Sequence, residues 1–505
     1  MTVFSRRSFL AGVAAVPFCV WFEEQGFAQA ATLTRYDATS AQGQAMLKVY
    51  ANAVGKMMTA AQIPEGKPIS WLFQWYTHWV RGDRTKAQDI ARVYPAPSPD
   101  KDLANEMWTT CQAHDGNPQR EPFFLPWHRM YVFYFESIIR AVSGEKTFTL
   151  PYWDYSTADP TKHGIIPKQF RLASDPTFKW LFRDNRNKPS LGPQIPDVNG
   201  GQPIDKFAPG ALATTALKQG TYLPSGALQG FNRALDRGLH GNVHGLTGDG
   251  QNMGSVPWAA RDPVFWMHHC NIDRLWASWN KNGGVNPGGS WLTQTFVFAD
   301  AKGQRVVGTV NDFKDIAALK YTYDRFEPTP PSFKPIVPPI TETAAPAPAP
   351  PVTIVASGPL SLTAKPARTT LQAKGATEAA SNVTERAATL SATKRWYLML
   401  RGLYANAQPG VLYAIYLDLP ANATPAQSAD HLVGTINFFD AVAHPGHEGA
   451  SVDKTRFISF DATEVVRALR DKKQLSATPA VTIVPIGRPA ADAKPVVEEI
   501  SLVEQ

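Results

Sequence analysis

The sequence predicts a mainly α-helical domain over residues 31–326, a Pro/Ala-rich linker over 327–394 and a small β-sandwich over 395–505. Three observations lead there. Several stretches before residue 326 place apolar side chains three and four apart. Ten of the 42 prolines fall between Glu327 and Pro351, which suits a semi-rigid extended connector. From Arg395 onward, short β-branched and aromatic runs alternate with Gly and Pro turns. A chain of 505 residues is long enough for two such domains, and 44% apolar against 18% charged residues excludes a disordered protein.

Residues 1–30 read as an export signal of the twin-arginine type. Ser5-Arg6-Arg7-Ser8-Phe9-Leu10 precedes an apolar run from Ala11 to Phe22, and Ala28-Gln29-Ala30 offers a small-residue cleavage site. The run is too short for a permanent anchor. The expectation is a periplasmic or secreted protein, delivered by the twin-arginine machinery, with no membrane anchor in the mature chain. Removal of the signal takes Cys19 with it and leaves Cys111 and Cys270, too few for a disulfide scaffold or a Cys-rich zinc site. Net charge is +7, without a Lys/Arg run long enough to suggest a nucleic-acid partner.

The first helix is expected over Gln42–Met58, with Met46, Leu47, Tyr50 and Val54 on one face. Further helices are expected over Phe123–Val142, Arg233–His244 and Pro263–Trp279, with a loop-rich stretch over 150–235. In the second domain, Tyr397–Leu403, Val411–Leu417 and Val481–Ile486 read as strands.

With so few thiols, the chemistry points to histidine. Eight of the eleven histidines precede the linker: His78, His114, His128, His163, His240, His244, His268 and His269. His240 and His244 are spaced i, i+4, which stacks two imidazoles on one helical face. Such a pair is either two ligands of one metal or a packed core pair. His268 and His269 lie in a strongly apolar helix, and His78 and His128 sit among aromatics. A buried imidazole needs a partner, and a metal supplies one. The donor set suits Zn, Cu, Fe or Ni.

Two longer motifs carry a resemblance. Phe124-Leu125-Pro126-Trp127-His128-Arg129 and the segment Asp262–Trp276, of pattern DPxFWxHHxxxDRxW, resemble the copper-A and copper-B motifs of the type-3 dicopper proteins. These are the tyrosinases, the catechol and polyphenol oxidases and, more distantly, the hemocyanins. Leu150–Tyr155 and Tyr321-Thr322-Tyr323 extend the similarity. The resemblance implies a four-helix-bundle dicopper core with two copper ions and dioxygen as co-substrate. Copper A would be held by His78, His114 and His128, and copper B by His240, His244 and His269. His114 stands fourteen residues before His128, a longer interval than in many relatives, so the loop between them reads as an insertion. His268 is expected to be a hydrogen-bonded neighbour of the ligands, and His163 a surface-loop residue. Cys111 is a candidate for a thioether to His114, and Cys270 a packed thiol. Arg35 is expected to stack on the Tyr321/Tyr323 pair.

The implied activity is copper-dependent oxidation of o-diphenols to o-quinones of the kind that polymerise to melanin, with monophenols as a further substrate class. Val256 matches the position of a substrate gate, and its small side chain suggests an open site. Asp236 matches an acidic position, and Gly241 and Asn242 follow the first copper-B histidine, where an Asn is associated with monophenol chemistry. Residues 395–505 match a C-terminal lid, with Gly434–Phe439 as apolar candidates for insertion; His431, His444 and His447 are expected to be solvated loop residues. An o-aminophenol oxidase and a hemocyanin-like oxygen carrier without turnover are alternatives on the same histidines. A zinc or iron hydrolase is a third, which the absence of an obvious bridging carboxylate disfavours.

Overall fold

The protein is described here by a computed structural model that covers residues 32–112, 119–331, 350–373, 382–390, 394–423, 425–442 and 457–505. The expected signal peptide, His114, His444, His447 and most of the proline-rich connector lie outside these residues. No helix among the described residues is long and apolar enough to cross a membrane.

The helical domain is built on four principal helices. Ala41–Met58 starts at Ser40, whose side chain accepts from the Gly43 amide, and it buries Leu47, Tyr50, Ala51 and Val54. Trp71–His78 is capped in the same way by Ser70 and ends on His78. Phe124–Ser143 stops where Gly144 turns left-handed, at φ 80°. Val264–Lys281 is buried at every position from Val264 to Trp279, so water is excluded all round it.

The segment expected as one helix over Arg233–His244 is broken. Gly230–Ala234 runs into a wide π-type turn at Leu235–His240, then into a fresh α-helix, Gly241–Thr247. Gly238, at φ −93° and ψ −106°, takes the non-helical conformation that lets the turn widen. This re-aims His240 while keeping it one turn ahead of His244.

A buried ionic knot closes the domain. Leu33–Arg35 pairs in parallel with Tyr321–Tyr323, joining the two ends of the domain. The Arg35 guanidinium lies 3.9 Å over the Tyr321 ring and donates to Glu136 at 2.9 Å and Asp273 at 3.1 Å. Asp273 also accepts from Arg129, and from the hydroxyls of Tyr321 at 2.6 Å and Tyr323 at 2.5 Å. Burial pushes the Asp273 carboxyl up, but Arg129 and Arg35 outweigh it and hold the group below the usual carboxylate range. Cys270 is packed beside this knot, its thiol pushed up to about 12 by burial.

The second domain is a two-sheet sandwich. One sheet has the order Leu432–Ile436, Leu412–Leu417, Ala480–Ile486, Ala367–Thr370, all antiparallel. The other runs Phe457–Asp461, Trp396–Tyr404, Val496–Glu504, Val352–Ser357. Two of these strands, Val352–Ser357 and Ala367–Thr370, lie within the segment expected as linker. Ala367–Thr370 is too short and polar to stand out, and Val352–Ser357, despite Val352, Ile354 and Val355, follows directly on the prolines; pairing with strong strands orders both. His431 differs from expectation as well: it is 1% exposed and its Nδ1 lies 2.7 Å from the Leu417 carbonyl.

Candidate metal centre

The elements carrying the motif histidines, Trp71–His78, Phe124–Ser143, Leu235–His240, Gly241–Thr247 and Val264–Lys281, converge on one buried chamber. His240, His244, His268 and His269 form one group, and His78, Cys111 and His128 another; within each, one potential ligand atom per residue lies within 4.8 Å of the others. The groups adjoin: the His128 and His269 rings stack at 4.2 Å, and His128 and His240 stand 6.3 Å apart. Phe265 touches both groups, at 5.0 Å from His78 and 4.2 Å from His269. Phe124 bridges them from the other side, at 4.7 Å from both His128 and His240. Five of the six histidines expected as ligands are therefore together, and the sixth, His114, lies outside the described residues.

The backbone fixes which ring nitrogen is offered. Nδ1 of His128 lies 2.8 Å from the Phe124 carbonyl, Nδ1 of His244 2.8 Å from that of Met253, and Nδ1 of His240 3.1 Å from that of Asp236. An imidazole donating from Nδ1 carries its lone pair on Nε2, the form a metal binds. The Asp236 carboxylate adds a second acceptor 3.1 Å from His240 Nδ1, so this acidic side chain holds the ring's orientation. Burial pushes the Asp236 carboxyl up despite His240 beside it.

The donor set fits a metal. Nε2 of His244 and both ring nitrogens of His268 and His269 are buried without a hydrogen-bond partner. Burial, reinforced by the neighbouring imidazoles, drives His128, His244, His268 and His269 well below the usual histidine range, which leaves them neutral. Uncharged imidazoles shielded from water, with the buried ring nitrogens of His244, His268 and His269 unpartnered, are what a copper, zinc or iron ion would satisfy. His268 departs from expectation here: it has no hydrogen bond and stands in the metal-competent group, its ring stacked 5.3 Å from His240. Its place one residue before His269 hid this, because adjacent residues on a helix normally point about 100° apart. The Cys111 thiol lies 3.4 Å from His128 Nε2.

Residues 70–282 match the common central domain of tyrosinase, and residues 352–505 match a domain of unknown function, DUF7868. The helical domain belongs to the tyrosinase-like, type-3 dicopper family. A tyrosinase of Hahella sp. is 32% identical over 286 residues, covering 51% of this chain and 56% of that protein. A chloroplastic polyphenol oxidase of Vitis vinifera is 30% identical over 274 residues, covering 47% and 44%. The chain thus spans about half the length of the curated relatives it matches. In fold it is similar to latent apple tyrosinase, with a TM-score of 0.58 at 20% identity over 94% of this chain and 98% of that one. It is similar also to latent aurone synthase, with a TM-score of 0.55 at 18% identity over 94% and 90%.

The tyrosinase-like domain is covered by the sandwich. Phe439, from the turn after Leu432–Ile436, lies flat against His244 at 4.1 Å and 11°, with its ring 5.7 Å from His240. Asn437 donates to the Arg237 carbonyl at 2.8 Å and to the Asn242 side chain at 2.9 Å. It fills the space above Gly241, where a Cβ would stand 2.5 Å from Asn437 Oδ1. Arg237 pairs with Asp440 at 3.1 Å. Gly241 and Asn242 therefore face the covering domain. Val256 is buried at the start of Val256–Ala259, so a small residue does not make an open mouth here.

Proposed function

We propose that the protein is a copper-dependent oxidase of phenols that converts o-diphenols to o-quinones. Two diphenols give up four electrons and four protons, and one dioxygen becomes two waters. Copper A is assigned to His78, His128 and His114, and copper B to His240, His244 and His269, with His268 alongside. When bound, the coppers supply the electron transfer to dioxygen. The chain supplies the rest. The Phe124, Met253 and Asp236 carbonyls and the Asp236 carboxylate orient three of the imidazoles. Phe124 and Phe265 keep water away. The observation that carries this reading is the pair of adjoining groups of buried imidazoles. The test is oxygen uptake with catechol by the copper-loaded protein, freed of the C-terminal domain. Sustained uptake at one dioxygen per two catechols is expected. A burst that ends after one dioxygen per chain contradicts it and favours a carrier.

The sandwich is proposed as a lid, with Phe439 as the side chain that occupies the chamber. Its support is the flat contact on His244 and the Asn437 seat on Gly241. Export by the twin-arginine route, with copper already in place, belongs to the same proposal, and its support is the order of the signals in residues 1–30.

A further inference from the structure

A second cavity, of about 370 Å³, opens on the helical domain, and none of the chamber's histidines, nor Cys111, Phe124 or Phe265, lines it. Its apolar wall includes Trp71, Trp75 and Trp180. Trp180 lies on the Ala41–Met58 helix at Gly55, where a Cβ would stand 2.8 Å from the indole, so the missing side chain seats the ring. The polar wall carries Lys179, Arg183 and Arg261.

The charges in this wall are not balanced. Arg183 is held rigidly, yet by neutral groups: it donates to the carbonyls of Trp180 at 3.1 Å, Phe182 at 2.6 Å and Arg261 at 3.4 Å, and to Met58 sulfur at 3.3 Å. Among the described residues, no carboxylate pairs with it. Asp262, the acid that acts on it most, is taken by the fork of Arg186 at 2.7 and 2.8 Å. Glu65, also in the lining, is paired with Arg92 at 2.9 Å. Burial, with Arg186 and Arg261 nearby, pushes the Arg183 pKa down to about 10. Arg261 faces the rings of Trp75 and Trp258, at 5.7 and 5.9 Å, in place of an acid. Trp71 adds a buried indole N–H without an acceptor. A fixed cation partly withdrawn from water, without a counter-charge and beside aromatic faces, is the complement of an anion carried on a ring.

We propose that this cavity binds a small aromatic carboxylate, its carboxylate on Arg183 and Arg261 and its ring against Trp75 and Trp180. A cavity of this volume accepts one such molecule. The site is independent of the metal chamber, so its test needs no turnover and stands apart from the proposed activity.

The experiment is isothermal titration of the copper-loaded full chain with cinnamate, with cinnamyl alcohol as the uncharged match. Saturable binding of cinnamate is expected, with the alcohol at least about tenfold weaker. Arg183→Gln and Arg261→Gln should each weaken cinnamate by about tenfold or more, because each removes a charge-assisted contact. Arg261 is exposed and, among the described residues, its side chain has no hydrogen-bond partner, so R261Q keeps the test decisive if R183Q does not fold. Cinnamate bound equally well by R261Q, whether at the imidazoles or elsewhere, overturns the proposal. So does an alcohol that binds as tightly as the acid, or no binding at all.

Discussion

Asp236 is the residue whose role the structure most changes. In the sequence it stands four before His240; in the fold its carboxylate and its own carbonyl both meet His240 Nδ1. An acceptor behind a metal-binding imidazole fixes ring orientation and raises donor strength, and its loss typically costs about 10–100-fold in metal affinity. Asp236→Asn keeps the shape but removes the charge. The expected outcome is weaker copper retention, by about that factor, in a competition with a chelator, with the far-ultraviolet spectrum unchanged. Equal retention would reduce Asp236 to a packing residue. The gathering of His128, His240, His244 and His269 was legible because two motifs and an i, i+4 pair mark them, whereas His78 lies in none of these. Gly241 and Asn242 were legible as positions but not as contacts, since their partner Asn437 lies about two hundred residues on, and no local pattern encodes so distant a meeting.

Among the elements, the principal helices followed from apolar spacing, while the break at Gly238 did not. A single glycine in a helical pattern lowers propensity without stating which conformation it adopts. The strands at Val352–Ser357 and Ala367–Thr370 were hidden for different reasons: Ala367–Thr370 is short and polar, while Val352–Ser357, though it carries Val352, Ile354 and Val355, follows directly on the prolines of the connector. The Leu33–Arg35 and Tyr321–Tyr323 pair shows the opposite case, three residues at each end made rigid by one buried cation. Replacing Arg35 by Met leaves Glu136 and Asp273 buried with fewer counter-charges. Losing one partner from a buried ionic group costs about 3–5 kcal/mol. Arg35→Met should therefore lower the thermal midpoint of the helical domain by several degrees, of the order of ~5–15 °C, in a calorimetric scan. An unchanged midpoint would mean that the two domain ends are held elsewhere.

For the whole molecule, the sandwich and the helical domain meet at the metal chamber itself. Phe439 packs on His244 and belongs to the helical domain's apolar core, while Ser459, Gln229 and Ala227 tie the same face together at 2.5 and 2.8 Å. A lid held by such contacts should leave the intact chain slow and the cut chain fast. Cleavage between residues 332 and 349, followed by removal of the sandwich, should raise the rate of catechol oxidation. Phe439→Ala in the intact chain should recover part of that gain, because it empties the place beside His244 while Asn437 stays seated. No change after clean removal would make the sandwich purely structural. The two-domain layout was legible in composition, and the resemblance offered Gly434–Phe439 as the segment that meets the site; which side chain does so was not legible, because the apolar residues at 436–439 read equally well as sandwich core.

The measurement that bears most directly on the central claim is the metal content of the purified full chain together with its electron paramagnetic resonance. Six imidazoles divided between two adjoining sites should hold two coppers per chain, close enough to couple and so give almost no copper(II) signal in the oxidised protein. One copper per chain with a strong signal, or stoichiometric zinc or iron in place of copper, would contradict the dicopper assignment.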